Sequence, residues 1–141
     1  MTPGHPGGWV VALLGATCLH AGFQLTVTVL VYPALARVPA SSWGVEHDRH
    51  SRRITPLVGL VYAGVLVTAV GALLHDPSYA VGVAVAGHAL TFGLTAGVAA
   101  PLHGRLGRGR DALLVRRLLV ADRGRSAGVL VALAGAIAAV V

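Results

Sequence analysis

The chain has no lysine, and it has little charge of any kind. Charged residues are 11% of its 141 positions, while hydrophobic residues are 55% and the mean hydropathy is +0.76. A water-soluble domain carries roughly 25% charged residues, so this composition excludes an ordinary soluble surface. It excludes intrinsic disorder for the same reason. The chain is also too short for a large soluble enzyme. Cysteine is nearly absent. Cys18 stands alone, so no internal disulfide forms, and its apolar surroundings read as those of a small hydrophobe. No GxSxG, P-loop, Rossmann fingerprint or HExxH occurs, which leaves hydrolase and nucleotide readings without support. Met1 to Gly8 holds no Arg, so the basic start of a signal peptide is missing. Leu14 to Cys18 faintly resembles a lipoprotein cleavage site. Thr17 is a poor residue before the cysteine, and the apolar run continues past it, so a retained membrane helix is expected.

What is present is apolar runs of membrane length. A bilayer core needs about 20 apolar residues per helix. The expected fold is an all-α, polytopic membrane four-helix bundle, one domain over residues 1–141, with helices at about 9–32, 42–74, 79–104 and 111–141. Pro33 is expected to stop the first helix, and His75-Asp76-Pro77-Ser78 to reverse the chain. Ser41 or Ser42 is expected to cap the second helix and Asp111 the fourth. Gly93 and Gly97, and the series Gly128, Ala132, Ala136, offer small residues for close helix approach.

All eleven cations are Arg, and the formal charge is +6. Arg37, Arg49, Arg52 and Arg53 lie between the first two spans. The other seven lie between the third and fourth. Both connections share one side, so the positive-inside rule places them in the cytoplasm of a multi-pass cell-membrane protein with both termini outside. The Arg residues flank apolar spans and have no aromatic platform, so nucleic acid is not an expected partner; the lipid bilayer is.

The two halves echo each other. His20-Ala21 precedes Pro33 by thirteen residues and Arg37 by seventeen, and His88-Ala89 precedes Pro101 and Arg105 by the same intervals. This points to two tandem helical hairpins related by an axis along the membrane normal. Each histidine then lies roughly 20 Å from its helix end, deep in the hydrocarbon. Gln24 shares the face of His20, and Thr91 and Thr95 share that of His88. His47, His50 and Arg53 form one stripe, and Asp122, Arg125 and Ser126 another. Ionisable groups inside a membrane are costly and tend to mark function, so a polar layer fed by four helices is the candidate site. His5 and His75 read as solvated. Three chemistries are open at the layer. His47, His50 and His20 could hold a copper or iron ion; two mid-membrane histidines could ligate haem; or, without metal, His could act as a base beside an anion-holding Arg. A non-enzymatic subunit is a further reading. A transporter built from so small a protomer would require a homo-oligomer.

Thr95 to Leu106 with Pro101-Leu102-His103, then Asp122 and Arg125 at the head of the last apolar run, resembles the DUF1772 group of small four-helix membrane proteins. That group includes the anthrone-oxygenase-like proteins of polyketide pathways. Tyr32-Pro33 and Trp43 fit as well. The family pattern has Asn where this chain has His103 and commonly Asn at Asp122. The resemblance implies an oxidoreductase of secondary metabolism, an oxygenase or cyclase acting on a lipophilic aromatic or isoprenoid-like substrate. It implies that His103, Asp122 and Arg125 line the site. The depth argument adds His20, His50 and Arg53 to this catalytic set and Gln24, His88 and Thr91 against the substrate, where the resemblance implies Tyr32 and Trp43 as well.

Overall fold

A computed structural model describes residues 6–141; His5 lies outside them. The described residues form four helices and no strand: α1 (Gly8–Ala36), α2 (Trp43–His75), α3 (Tyr79–Leu106) and α4 (Ala112–Ala138). The first three are long and apolar enough to cross a membrane. The fourth carries Asp122 and four Arg, and its apolar stretch lies beyond them. Large apolar side chains such as Leu19, Leu30, Leu60, Leu66 and Leu90 point outward, an exterior compatible with lipid. At 33 residues α2 is roughly 50 Å long, against a hydrocarbon core of about 30 Å. A helix of that length exceeds the core by several turns, and its charged residues are all in its first half.

The expected caps hold in part. Asp111 accepts hydrogen bonds from the Leu113 and Leu114 amides at 2.8 and 3.1 Å. Ser42 occupies the N-cap position of α2, but its side chain makes no capping bond. Ser78 closes the 75–78 turn by accepting from the Val81 amide. His75 is exposed, as expected, and stacks on Trp9.

Pro33 does not stop α1. The helix relaxes into a π turn at Val27–Val31 and continues through Pro33 to Ala36. α3 does the same, with a π turn at Thr95–Ala99 before Pro101. A proline clashes with the carbonyl four residues back and cannot donate to it. One extra residue in the preceding turn removes both problems while the axis runs on. The two π turns stand at the interval that separates His20 from His88, 68 residues. The spacing echo between the two halves thus includes a backbone irregularity.

The tightest seam joins α3 to α4. A Cβ built on Gly87 would lie 2.5 Å from Ala132 N and from Gly128 O, and one on Gly135 2.5 Å from Ala84 N. Backbone meets backbone there, so only glycine fits. The Gly128, Ala132, Ala136 series is the packing stripe; Gly93 and Gly97 have open space around them and are not. By contrast, no residue of α2 between His47 and Val61 is fully buried. The bundle is closed along α3–α4 and loose along that half of α2. Gly87→Val is expected to cost about 1–3 kcal/mol by overpacking, and Gly93→Ala to stay within about 0.5 kcal/mol. Unfolding of the two variants in detergent measures both.

Candidate functional site

The polar residues separate into two layers. In the deeper one, His88 Nε2 meets Thr17 Oγ1 at 2.9 Å, and its Nδ1 meets His20 Nδ1 at 3.2 Å. These two histidines hold the matching positions in the echo between the two halves of the sequence. Tyr62 packs edge-on against His20 and shares a 2.7 Å hydrogen bond with Thr95. Thr91 shares its hydroxyl proton between the Gly87 carbonyl of its own helix and the Arg125 carbonyl, and the second of these bonds ties α3 to α4.

The second layer runs toward the Arg-rich end. Asp122 and Arg125 are 2% and 3% exposed, with their charged groups 3.6 Å apart. Gln24 donates its amide to Asp122 Oδ1 at 2.8 Å; Thr28 and Ser126 hydrogen-bond each other at 2.7 Å beside it. Arg125 Nη1 donates to the Tyr32 hydroxyl at 3.2 Å. Tyr32 stands 3.1 Å from His103 Nε2, and His103 Nδ1 stands 3.2 Å from His47 Nε2. His47 stacks on Trp43, whose indole donates to the Leu106 carbonyl at 2.8 Å.

This chain has a direction. A guanidinium only donates, so the Tyr32 oxygen accepts from Arg125, and the arrangement that also gives the Tyr32 proton an acceptor leaves His103 Nε2 unprotonated. His103 then carries its proton on Nδ1 and donates to His47 Nε2. One permanent cation polarises the series from Arg125 through Tyr32 and His103 to His47.

Against this chain lies a cavity of about 300 Å³, near the lower size for small-molecule sites. Its walls are apolar, with Phe23, Val27, Ile54, Val58 and Ala99 among them. Tyr32, His103 and Arg125 supply its polar groups, with Ser51, Thr55 and Thr95. Both π turns contribute wall residues. Arg125 Nη1 serves both Tyr32 and Asp122, and the buried Nε has no protein partner. The guanidinium thus keeps donor capacity for a ligand oxygen.

Of the expected catalytic residues, His103 and Arg125 line the cavity and Asp122 stands behind Arg125. His50 stacks on His103 at 5.8 Å from the side of α2. Arg53 lies further out, on the rim of a separate crevice. His20 belongs to the deeper layer. Of the expected substrate contacts, Tyr32 lines the cavity. Gln24 supports Asp122, Trp43 supports His47, and His88 and Thr91 join helices. Tyr62 and Ser51 were not anticipated; Tyr62 is the one polar aromatic in the apolar half of α2, which was the available signal.

Two cofactor expectations do not fit. Among the described residues, no three of His, Cys, Asp and Glu are placed to hold a metal ion. The copper or iron set of His47, His50 and His20 is divided, since His20 pairs with His88 while the other two face His103. The His20 and His88 rings stack 5.3 Å apart with nitrogens in contact, leaving no room for a porphyrin between them. The chain matches no family model, no curated protein and no solved structure.

The Asp122–Arg125 pair yields a stability prediction. Asp122→Ala leaves a buried guanidinium uncompensated, at a cost of about 3–5 kcal/mol. Adding Arg125→Leu removes the stranded charge, so the double variant is expected to unfold later than Asp122→Ala alone. Denaturant titration in micelles reads this, and a double variant weaker than the single one would contradict it.

Proposed function

We propose that the chain is a multi-pass membrane enzyme that oxidises a lipophilic aromatic substrate in the cavity bounded by Tyr32, His103 and Arg125. The observation that carries this reading is an apolar cavity whose polar groups are a hydroxyl, an imidazole and a partly unengaged guanidinium in one hydrogen-bonded series. The resemblance of Tyr32-Pro33, Pro101-Leu102-His103 and Asp122 to Arg125 to anthrone-oxygenase-like proteins supports it. The one-sided Arg distribution supports an orientation with both Arg-rich connections in the cytoplasm and the termini outside.

The chemistry derives from the residues. A substrate carbonyl oxygen seated at the polar end accepts from Tyr32 and Arg125. Tyr32 then no longer occupies His103 Nε2, which is free to act as a base. His103 removes a proton from the activated ring carbon, and the electron pair spreads onto the carbonyl oxygen, where the two donors hold the oxyanion. The carbanion reduces dioxygen, and a carbon–oxygen bond forms. The resulting hydroperoxide takes up the proton and loses water to leave a second carbonyl. In total, one CH₂ group and one O₂ become one C=O group and one water. His47 accepts from His103 Nδ1 and spreads the positive charge that His103 acquires.

Anthrone itself is a suitable probe, with oxygen uptake and quinone absorbance as readouts for protein in lipid nanodiscs. Arg125→Gln is expected to lower kcat by about 10²–10³, the usual loss of an oxyanion donor. His103→Ala is expected to lower it by about 10²–10⁴. Arg116→Gln, on the exposed face of α4, is the control. Equal rates for the wild type and Arg125→Gln would sink this function.

A further inference from the structure

A second cavity, about 420 Å³, opens between α1 and α2 on the Arg-rich side of the inner one. Val31, Leu35 and Val38 of the α1 side form one wall, and Ile54 and Leu57 of α2 the other. Its charged residues are Glu46, Arg49 and Arg53. Glu46 and Arg49 neutralise each other through an ion pair at 2.6 Å. Arg53 has no ion-pair partner among the described residues, so the crevice carries one net positive charge. Arg52, the preceding residue on the helix, pairs with Asp48 at 2.7 Å and does not line the crevice.

Position along α2 adds a second constraint. Arg53 lies about 15 Å from the start of a helix that exceeds the hydrocarbon core by roughly 20 Å. It therefore stands near the boundary between headgroups and acyl chains, with the apolar walls of the crevice beside it. The crevice also meets the inner cavity. Ile54 lines both, and His50, which lines the crevice, stacks on His103, which lines the inner cavity.

We propose that this crevice binds a single-headed anionic amphiphile, a carboxylate or phosphate ester with an apolar body, whose anion pairs with Arg53 while its body lies along α1 and α2 toward Ile54. Binding stands independently of the oxidative function; only the fate of the bound molecule rests on that reading. On it, the amphiphile gives the substrate class, a lipophilic acid that reaches the inner cavity past His50 and Ile54. The two sources of such an anion are a free amphiphilic acid and a membrane phospholipid.

The test is equilibrium binding of radiolabelled oleate, with oleyl alcohol as the neutral comparator, to the full chain in phosphatidylcholine nanodiscs. Wild type is expected to bind oleate saturably. Arg53→Gln is expected to weaken oleate about tenfold without changing oleyl alcohol, the scale of a lost charge-assisted contact. Arg53→Lys is expected to recover most of that loss. Arg52→Gln removes the same formal charge outside the crevice and is expected to change little. Discs containing phosphatidylglycerol identify the source. Oleate displaced by that lipid assigns the site to a phospholipid headgroup; oleate retained assigns it to a free acid; both sustain an anion site at Arg53. Equal losses in Arg52→Gln and Arg53→Gln, or no saturable oleate binding to wild type, would overturn the proposal. Because binding is read without turnover, failed anthrone oxidation with intact oleate binding removes only the enzymatic reading, and the converse removes only this one.

Discussion

A guanidinium cannot shed its charge at any pH a cell reaches, and Arg125 is buried among helices whose outer faces are apolar. That constraint organises the neighbouring residues. Asp122 lies one turn away as the counter-charge, and Gln24 from α1 holds the carboxylate. Tyr32 takes one guanidinium hydrogen and stands within hydrogen-bond reach of His103, as His103 does of His47. The buried cation thus has one neighbour as its counter-charge and favours one direction for the hydrogen bonds among the next three. Buried ion pairs seldom add stability, since desolvation offsets most of their attraction. A pair kept under that handicap, beside a cavity, is more readily explained by what its charge does there than by what it holds together.

Packing supplies the space in which that charge acts. The glycine seam brings α3 and α4 into backbone contact, close enough for Thr91 to bond the Arg125 carbonyl and hold the backbone beneath the guanidinium. α2 has no such seam in its Arg-rich half. There its residues from Glu46 to Val58 line the two cavities that open between it and its neighbours. The π turns belong to the same design. They carry α1 and α3 past Pro33 and Pro101, so that Tyr32 and His103 reach the polar end of the cavity as parts of continuous helices.

Much of this was legible in the residues. Periodicity and length locate four helices, Asp111 announces the last of them, and the matched His–Pro–Arg spacings foreshadow the matching π turns. Arg125 and Asp122 were recognisable as site candidates from their depth, whereas His103 and Tyr32 entered only through the family resemblance. Depth alone could not divide the polar residues. His20 and Gln24 lie one turn apart on one face, yet His20 turns to its repeat partner and Gln24 to Asp122. Helical rise gives height along the axis, whereas partner choice depends on how each helix is rotated against its neighbours. Gly93 and Gly97 misled for the same reason, since their spacing is right for a seam and their facing is not. Pro33 misled because a π turn leaves no mark in the residues that form it.

The direction of the Arg125–Tyr32–His103–His47 series is the claim on which the chemistry depends most. Nitrogen-15 magnetic resonance of histidine-labelled protein in lipid reads it, with His103→Ala identifying the signal. His103 must appear as a neutral imidazole protonated at Nδ1, with Nε2 accepting from Tyr32, and Tyr32→Phe must shift the Nε2 resonance. A His103 protonated at Nε2, or at both nitrogens, at neutral pH would contradict it.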